Sequence, residues 1–257
     1  MKPSSQRKVP RYPRASLSVF TLNHVYPRSP FLVLWWSAAI PGFGHMMLGK
    51  YLQGFLLVGW EFYTNVQAHL NEAIFLTMIG DFVQAKAVLE TKWISLYIAV
   101  YVFTIWDSYN KTNDANKLAM LSENEWIDQP PVVMTPVGIH FMRPYKPWLA
   151  LLWSSFLPGL GHIYLQRLIS GLFAFAGWIL TCYFSRLPTG LHYTMTGHFA
   201  EAIATMPPQW VLFMPSLYGY ALFETHMAAS QFTKLFKQQQ GYFLKEQYQD
   251  KRFRMPI

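Results

Sequence analysis

The chain has 257 residues, 52% of them apolar and only 13% charged, a balance that points away from soluble domains and toward a polytopic membrane protein. Its formal charge of +8 lies mainly at the two ends, beside apolar segments, which marks membrane orientation and argues against nucleic-acid binding. The single cysteine, Cys182, excludes an intrachain disulfide, a CxxC redox pair and a thiolate metal site.

Residues 1–26 carry Lys2, Arg7, Lys8, Arg11 and Arg14, with no apolar core and cleavage site of the secretory kind, so a basic cytoplasmic tail is expected here. Residues 27–118 then form a unit that recurs at 144–235 with a constant offset of 117. Trp36-Ser37 and Pro41-Gly42-Phe43-Gly44-His45 return as Trp153-Ser154 and Pro158-Gly159-Leu160-Gly161-His162. Pro27, Pro30, Gly54, Gly80, Trp93 and Tyr101 also find identical partners, and Asp107 is answered by Glu224. This is a tandem duplication.

Each unit opens with an apolar run, Phe31 to Ile40 or Trp148 to Leu157. Ten helical residues rise about 15 Å, half of a hydrocarbon core of about 30 Å, so a half-helix followed by a glycine turn is expected. Longer runs follow, Met46 to Val66 and Ile163 to Phe184, then an amphipathic stretch around Gly80 or Gly197. A returning run, Trp93 to Trp106 or Trp210 to Phe223, completes a transmembrane hairpin.

The expected architecture is therefore an all-α polytopic membrane protein of two pseudo-symmetric units. The cytoplasmic linker is 119–143, and 236–257 is a second basic tail. Four spans with both termini in the cytoplasm leave only Lys86, Lys92 and Arg186 outside among 21 Lys and Arg. Three crossings per unit would instead place Lys50, Lys111, Lys117, Arg143, Lys146 and Arg186 outside, and the positive-inside rule favours four spans.

Five polar residues in apolar surroundings are candidates for a ligand or proton site: His45, His162, Asp107, Glu224 and Glu61. If the units converge, the histidines and carboxylates meet; otherwise each histidine caps its turn, with Lys50–Asp107 and Arg167–Glu224 as equivalent ion pairs. Glu61 breaks the symmetry, since Trp178 stands at its place in the second unit. It is either a buried site or, through helix tilt, a group at the outer interface beside Tyr63, Thr64 and Asn65. Gly42, Gly44, Gly159 and Gly161, with Lys50 and Arg167, form a candidate turn for an anion or lipid headgroup.

The string Ser-x-x-x-Pro-Gly-x-Gly, with Tyr164 in the second copy and Gly49 and Gly54 in the first, resembles small bacterial membrane proteins with an SxxxPGxGxxYxG-type hairpin, loosely TM2-like. Met47 and Gln166 depart from that pattern. The resemblance implies a bacterial inner-membrane location and a compact helical hairpin, with no reaction attached. P-loop, Rossmann, GxSxG and HExxH signatures are absent from the sequence, so neither an enzyme nor a cofactor or metal is expected.

The expected role is structural, an interaction or assembly component whose partners are the lipid bilayer and a membrane protein or second copy. The alternative is a small transporter or lipid-handling protein with its site between the repeats.

Overall fold

The computed structural model describes residues 14–248 except 19, 124–131 and 137. Most of the basic N-terminal tail, the 124–131 part of the linker and the end of the C-terminal tail lie outside the described residues. The described chain is mostly helical.

A two-stranded hairpin, β1 (Ala15–Leu17) and β2 (Leu22–His24), precedes the first unit, with Ala15 opposite His24. Six helices follow: α1 (Pro30–Ala39), α2 (Phe43–Met47), α3 (Tyr51–Ala68), α4 (Leu70–Met78), α5 (Phe82–Val88) and α6 (Thr91–Glu123). The second unit repeats the plan with hairpin β3 (Val132–Thr135) and β4 (Gly138–Phe141), and then α7 (Pro147–Phe156), α8 (Leu160–Tyr164) and α9 (Leu168–Phe184). It ends with α10 (Leu187–Met195), α11 (Phe199–Thr205), α12 (Pro208–Val211) and α13 (Phe213–Gln247).

The offset of 117 carries the first residue of α1 to α5 onto the first residue of α7 to α11. It also carries Ala15–Leu17 into β3 and Leu22–His24 into β4, so the structural repeat begins before residue 27 and includes hairpins in the segments expected as tail and linker. Backbone details follow the same rule. Left-handed conformations occur at Gly42 and Gly159, Gly49 and Gln166, His69 and Arg186, and Gly80 and Gly197. Tyr101 donates to the Ala38 carbonyl as Tyr218 does to that of Ser155, each at 2.8 Å.

The ten-residue half-helices are present as α1 and α7, each opening on a proline whose missing N–H costs nothing at a helix start. The longer expected runs are broken. The Met46 to Val66 run turns at Leu48 to Lys50 before α3 begins, and Ile163 to Phe184 turns likewise before α9. No single described helix is long and apolar enough to cross a membrane. Two bent pairs are, by length and composition: Phe82–Val88 with Thr91–Ser122, and Leu168–Phe184 with Leu187–Met195.

The two units meet along an aromatic seam. Phe43 stacks on Tyr220 with ring centres 4.0 Å apart, Phe55 on Phe173 at 4.1 Å and Phe62 on Phe213 at 4.2 Å. Trp36 lies against Tyr220 and Phe223. A second core forms where the first hairpin reaches across: Ala15 and Leu22 pack with Leu165, Ala229 and Phe232 of the second unit. The Leu168 N–H also donates to the Phe20 carbonyl at 3.0 Å.

Candidate functional site

Each unit builds one buried polar centre around its carboxylate. The glycine turn makes this possible. Gly42 and Gly159 have φ of +106° and +108°, and a Cβ on either would lie 2.4 or 2.6 Å from the carbonyl oxygen of Gly54 or Gly171. Only glycine permits that backbone and that approach. The turn thereby sets α2 or α8 against the next helix and places the histidine inside.

His45 is fully buried and its Nε2 lies 2.9 Å from Asp107 Oδ2. Asp107 also accepts from Gln53 at 3.1 Å and from Lys111, whose ammonium donates to Gln53 Oε1 at 2.8 Å. In the second unit His162 Nε2 lies 2.9 Å from Glu224 Oε2, while Arg167 donates to Glu224 and, at 3.0 Å, to the Tyr51 hydroxyl. The histidines thus reach carboxylates of their own units instead of capping their turns. The pair Arg167–Glu224 forms as expected. Lys50 does not pair with Asp107: it is exposed at the start of α3, and Lys111, one helical turn beyond Asp107, supplies the cation. The Nδ1 atoms of both histidines are buried without a partner.

These four groups do not converge on one centre, and the described residues contain no group of three or more His, Cys, Asp or Glu able to hold a metal. The turn glycines Gly44 and Gly161 leave no open cradle either. A Cβ there would fall 2.2 or 2.0 Å from the Ser37 or Ser154 hydroxyl, because the preceding half-helix fills the space.

Glu61 is buried, at 3% exposure. It accepts from Asn65 Nδ2 at 2.9 Å and from the Tyr97 hydroxyl at 3.3 Å. Asn65 in turn accepts from Gln209 at 2.8 Å, and Asn71 donates to the Gln209 carbonyl at 3.0 Å. Glu61 therefore anchors a polar clasp that ties the first unit to the second, a use that Trp178 does not duplicate.

A cavity of about 180 Å³ opens beside the second centre, between the first hairpin and the second unit. Its polar wall comprises Asn23, His24, Arg28, Tyr51, Arg167 and Glu224, and Leu22 and Phe232 supply apolar wall. The Arg28 guanidinium donates to the Met47 carbonyl and stands 4.2 Å from the Tyr26 ring centre. It enters no ion pair among the described residues. Burial, reinforced by Arg14, Arg28 and Lys234, pushes the His24 imidazole down to about 3, so the ring is neutral at pH 7. Neither His24 nitrogen has a hydrogen-bond partner, and Arg28 Nε, Arg167 Nε and Asn23 Oδ1 are likewise buried and unpartnered.

Sequence reasoning missed Gln53, Lys111, Gln209 and, in the cavity wall, Asn23, His24, Arg28 and Tyr51. Lys111 carried a signal, since a lysine four residues after an aspartate on one helix lies on the same face. The cavity carried none, because Asn23, His24 and Arg28 become neighbours of Arg167 only when the first hairpin docks on the second unit. No protein family, curated protein or solved structure matches the chain.

Proposed function

We propose that the chain is a multi-pass integral protein of the bacterial inner membrane, with cytoplasmic termini, that serves as a structural and assembly component. Large apolar side chains exposed on both units, among them Phe31, Trp35, Leu52, Leu56, Trp148, Phe156 and Leu172, support a lipid-facing girdle around polar interiors. The two bent helix pairs supply lengths compatible with crossing.

The observation that carries the assembly role is that the two units pack head to tail. Trp36 of the first unit meets Tyr220 and Phe223 of the second, yet the equivalent Trp153, Phe103 and Trp106 do not meet and stay exposed. The hairpins repeat the contrast. Ala15 and Leu22 are 5% and 2% exposed on the second unit, whereas their equivalents Val132 and Ile139 are 39% and 62% exposed. A head-to-tail contact that fails to close leaves one complementary half open at each end of the molecule. Those halves suit a second copy, with Trp153 of one copy seated against Phe103 and Trp106 of the next and its β3–β4 hairpin against Leu48 and Ala115, the equivalents of Leu165 and Phe232. Cys182 and Lys92 stand where Asn65 and Gln209 make the clasp, so this contact would lack the polar lock and be weaker than the one inside the chain.

Cross-linking tests the role directly. In a Cys182→Ser background, Trp153→Cys and Trp106→Cys placed on separate copies should be joined by a short bis-maleimide in mild detergent. A monodisperse monomer with no cross-link and no co-purifying protein would overturn the proposal. A second reading, lipid or small-anion handling between the units, is favoured by the cavity at Arg167. Glu61 does not line that cavity.

A further inference from the structure

We infer that the cavity between the first hairpin and the second unit is a binding site for a phosphate-type oxyanion, carried either by a small soluble phosphate or by the headgroup of an acidic phospholipid. The inference deepens the second reading and is independent of the assembly role.

Its first support is where the repeats disagree. Asn23, His24, Arg28 and Tyr51 line the cavity, and the second unit has His140, Phe141, Tyr145 and Leu168 at those positions. The fold tolerates either set, since both hairpins and both helix starts form in register. The polar set is therefore not demanded by the architecture. It occurs where the first hairpin faces Arg167.

The second support is the chemistry of the wall. The Glu224 charge is answered by Arg167, leaving Arg28 as an uncompensated cation, and Arg14 and Lys234 lie near enough to act on His24. Arg28 Nε and Arg167 Nε are N–H donors without acceptors, and neutral His24 adds one more. These donors come from β2, from the segment before α1 and from the turn before α9, three separate elements of the cavity wall. A tetrahedral oxyanion with several acceptor oxygens suits that arrangement, and guanidinium groups bind it through charge-assisted hydrogen bonds. Asn23 Oδ1 remains to accept from a hydroxyl on the substituent.

Size sets the third limit. About 180 Å³ holds roughly six waters at liquid density, enough for a phosphate and a short substituent. It is below the range of about 300–1,000 Å³ typical of sites for larger ligands, which excludes a whole nucleotide. A phospholipid would place only its headgroup here.

The test uses the purified full chain in zwitterionic detergent and in phosphatidylcholine nanodiscs. Calorimetric titration with inorganic phosphate and with glycerol 3-phosphate reads the soluble arm. Native mass spectrometry of protein from nanodiscs with and without phosphatidic acid reads the lipid arm. One saturable site in either arm is expected, and the arm that saturates identifies the source. Arg28→Gln and His24→Phe should weaken it about tenfold or more, while Lys237→Gln, outside the cavity, leaves it unchanged. Arg28→Tyr, which copies Tyr145, provides a second variant with bulk retained should Arg28→Gln fold poorly. Absence of saturable binding in both arms overturns the inference, as does wild-type affinity in a well-folded Arg28→Tyr protein. Cross-linking of the same preparations reports on assembly separately, so the two proposals fail independently.

Discussion

The centres at Asp107 and Glu224 occupy equivalent positions, each with a histidine 2.9 Å away, yet they draw their cations from different elements. Around Asp107 the cation is Lys111, from the same helix, with a side chain still 27% exposed. Around Glu224 it is Arg167, from the turn before α9, with a side chain only 6% exposed. The equivalent of Arg167 is Lys50, which points to solvent, and the equivalent of Lys111 is Ala228, which has no charge to offer. Each unit has kept a paired carboxylate while changing its partner. Charge neutrality at this depth is thus the constraint on the fold, and the particular cation is open to another use. In the second unit that use is the cavity wall.

The difference in burial makes the two centres unequal when broken. Glu224→Gln strands the Arg167 guanidinium where it has little access to water, and removal of one partner of a buried pair costs about 3–5 kcal/mol. Asp107→Asn frees a lysine that swings outward, and the expected cost is about 1 kcal/mol. Thermal or denaturant unfolding of both variants in the same detergent measures the gap. Equal losses would show that the centres are energetically equivalent and that the choice of cation carries no consequence.

Much of this pairing is legible in the sequence. The constant offset of 117 located the turns, the half-helices and both carboxylates, because glycine and proline at those sites serve backbone geometry that both copies require. Arg167 with Glu224 followed from the same logic. Symmetry then misled at Lys50, since a cation at an equivalent position need not keep its partner when Lys111 is nearer. The hairpins were invisible for a different reason. Their strands of three or four residues share no identity between copies, with Ala15-Ser16-Leu17 against Val132-Val133-Met134, so the offset held in the backbone and vanished in the side chains. Glu61 stands out because it breaks the repeat, but Gln209, which completes the clasp by donating to Asn65, lies 148 positions beyond Glu61 and becomes a neighbour only through the docking of the units.

A relocation experiment sharpens the same contrast at a smaller scale. Lys111→Ala should cost about 1 kcal/mol, because Asp107 keeps His45 and Gln53 but loses its cation. Adding Lys50→Arg offers the first unit the arrangement that the second uses. If the architectures are interchangeable, the double variant regains about half of that loss, and Lys50→Arg alone changes nothing. Failure to recover would show that the turn before α3 cannot aim a guanidinium inward, and that Tyr51, whose hydroxyl Arg167 also holds, is part of what makes the second geometry work.

The effect that vanishes at neutral pH concerns the hairpins, through His24 and its equivalent Phe141. Burial and the nearby Arg14, Arg28 and Lys234 hold the folded imidazole near 3, while an unfolded histidine titrates at about 6.5. Between those values the unfolded chain binds a proton that the folded chain refuses, so stability is full above about pH 6.5 and declines as pH falls toward 3. The slope attributable to this one group is at most about 1.4 kcal/mol per pH unit. His24→Phe, which gives the first hairpin the residue of the second, removes that contribution, so the difference between wild type and variant should grow steadily from pH 6.5 downward. Carboxylates elsewhere cancel in the subtraction. A difference that stays flat over this window would mean that His24 accepts its proton within the fold, and that the cavity accommodates a cation where its wall, with Arg28 already unpaired, is built for an anion.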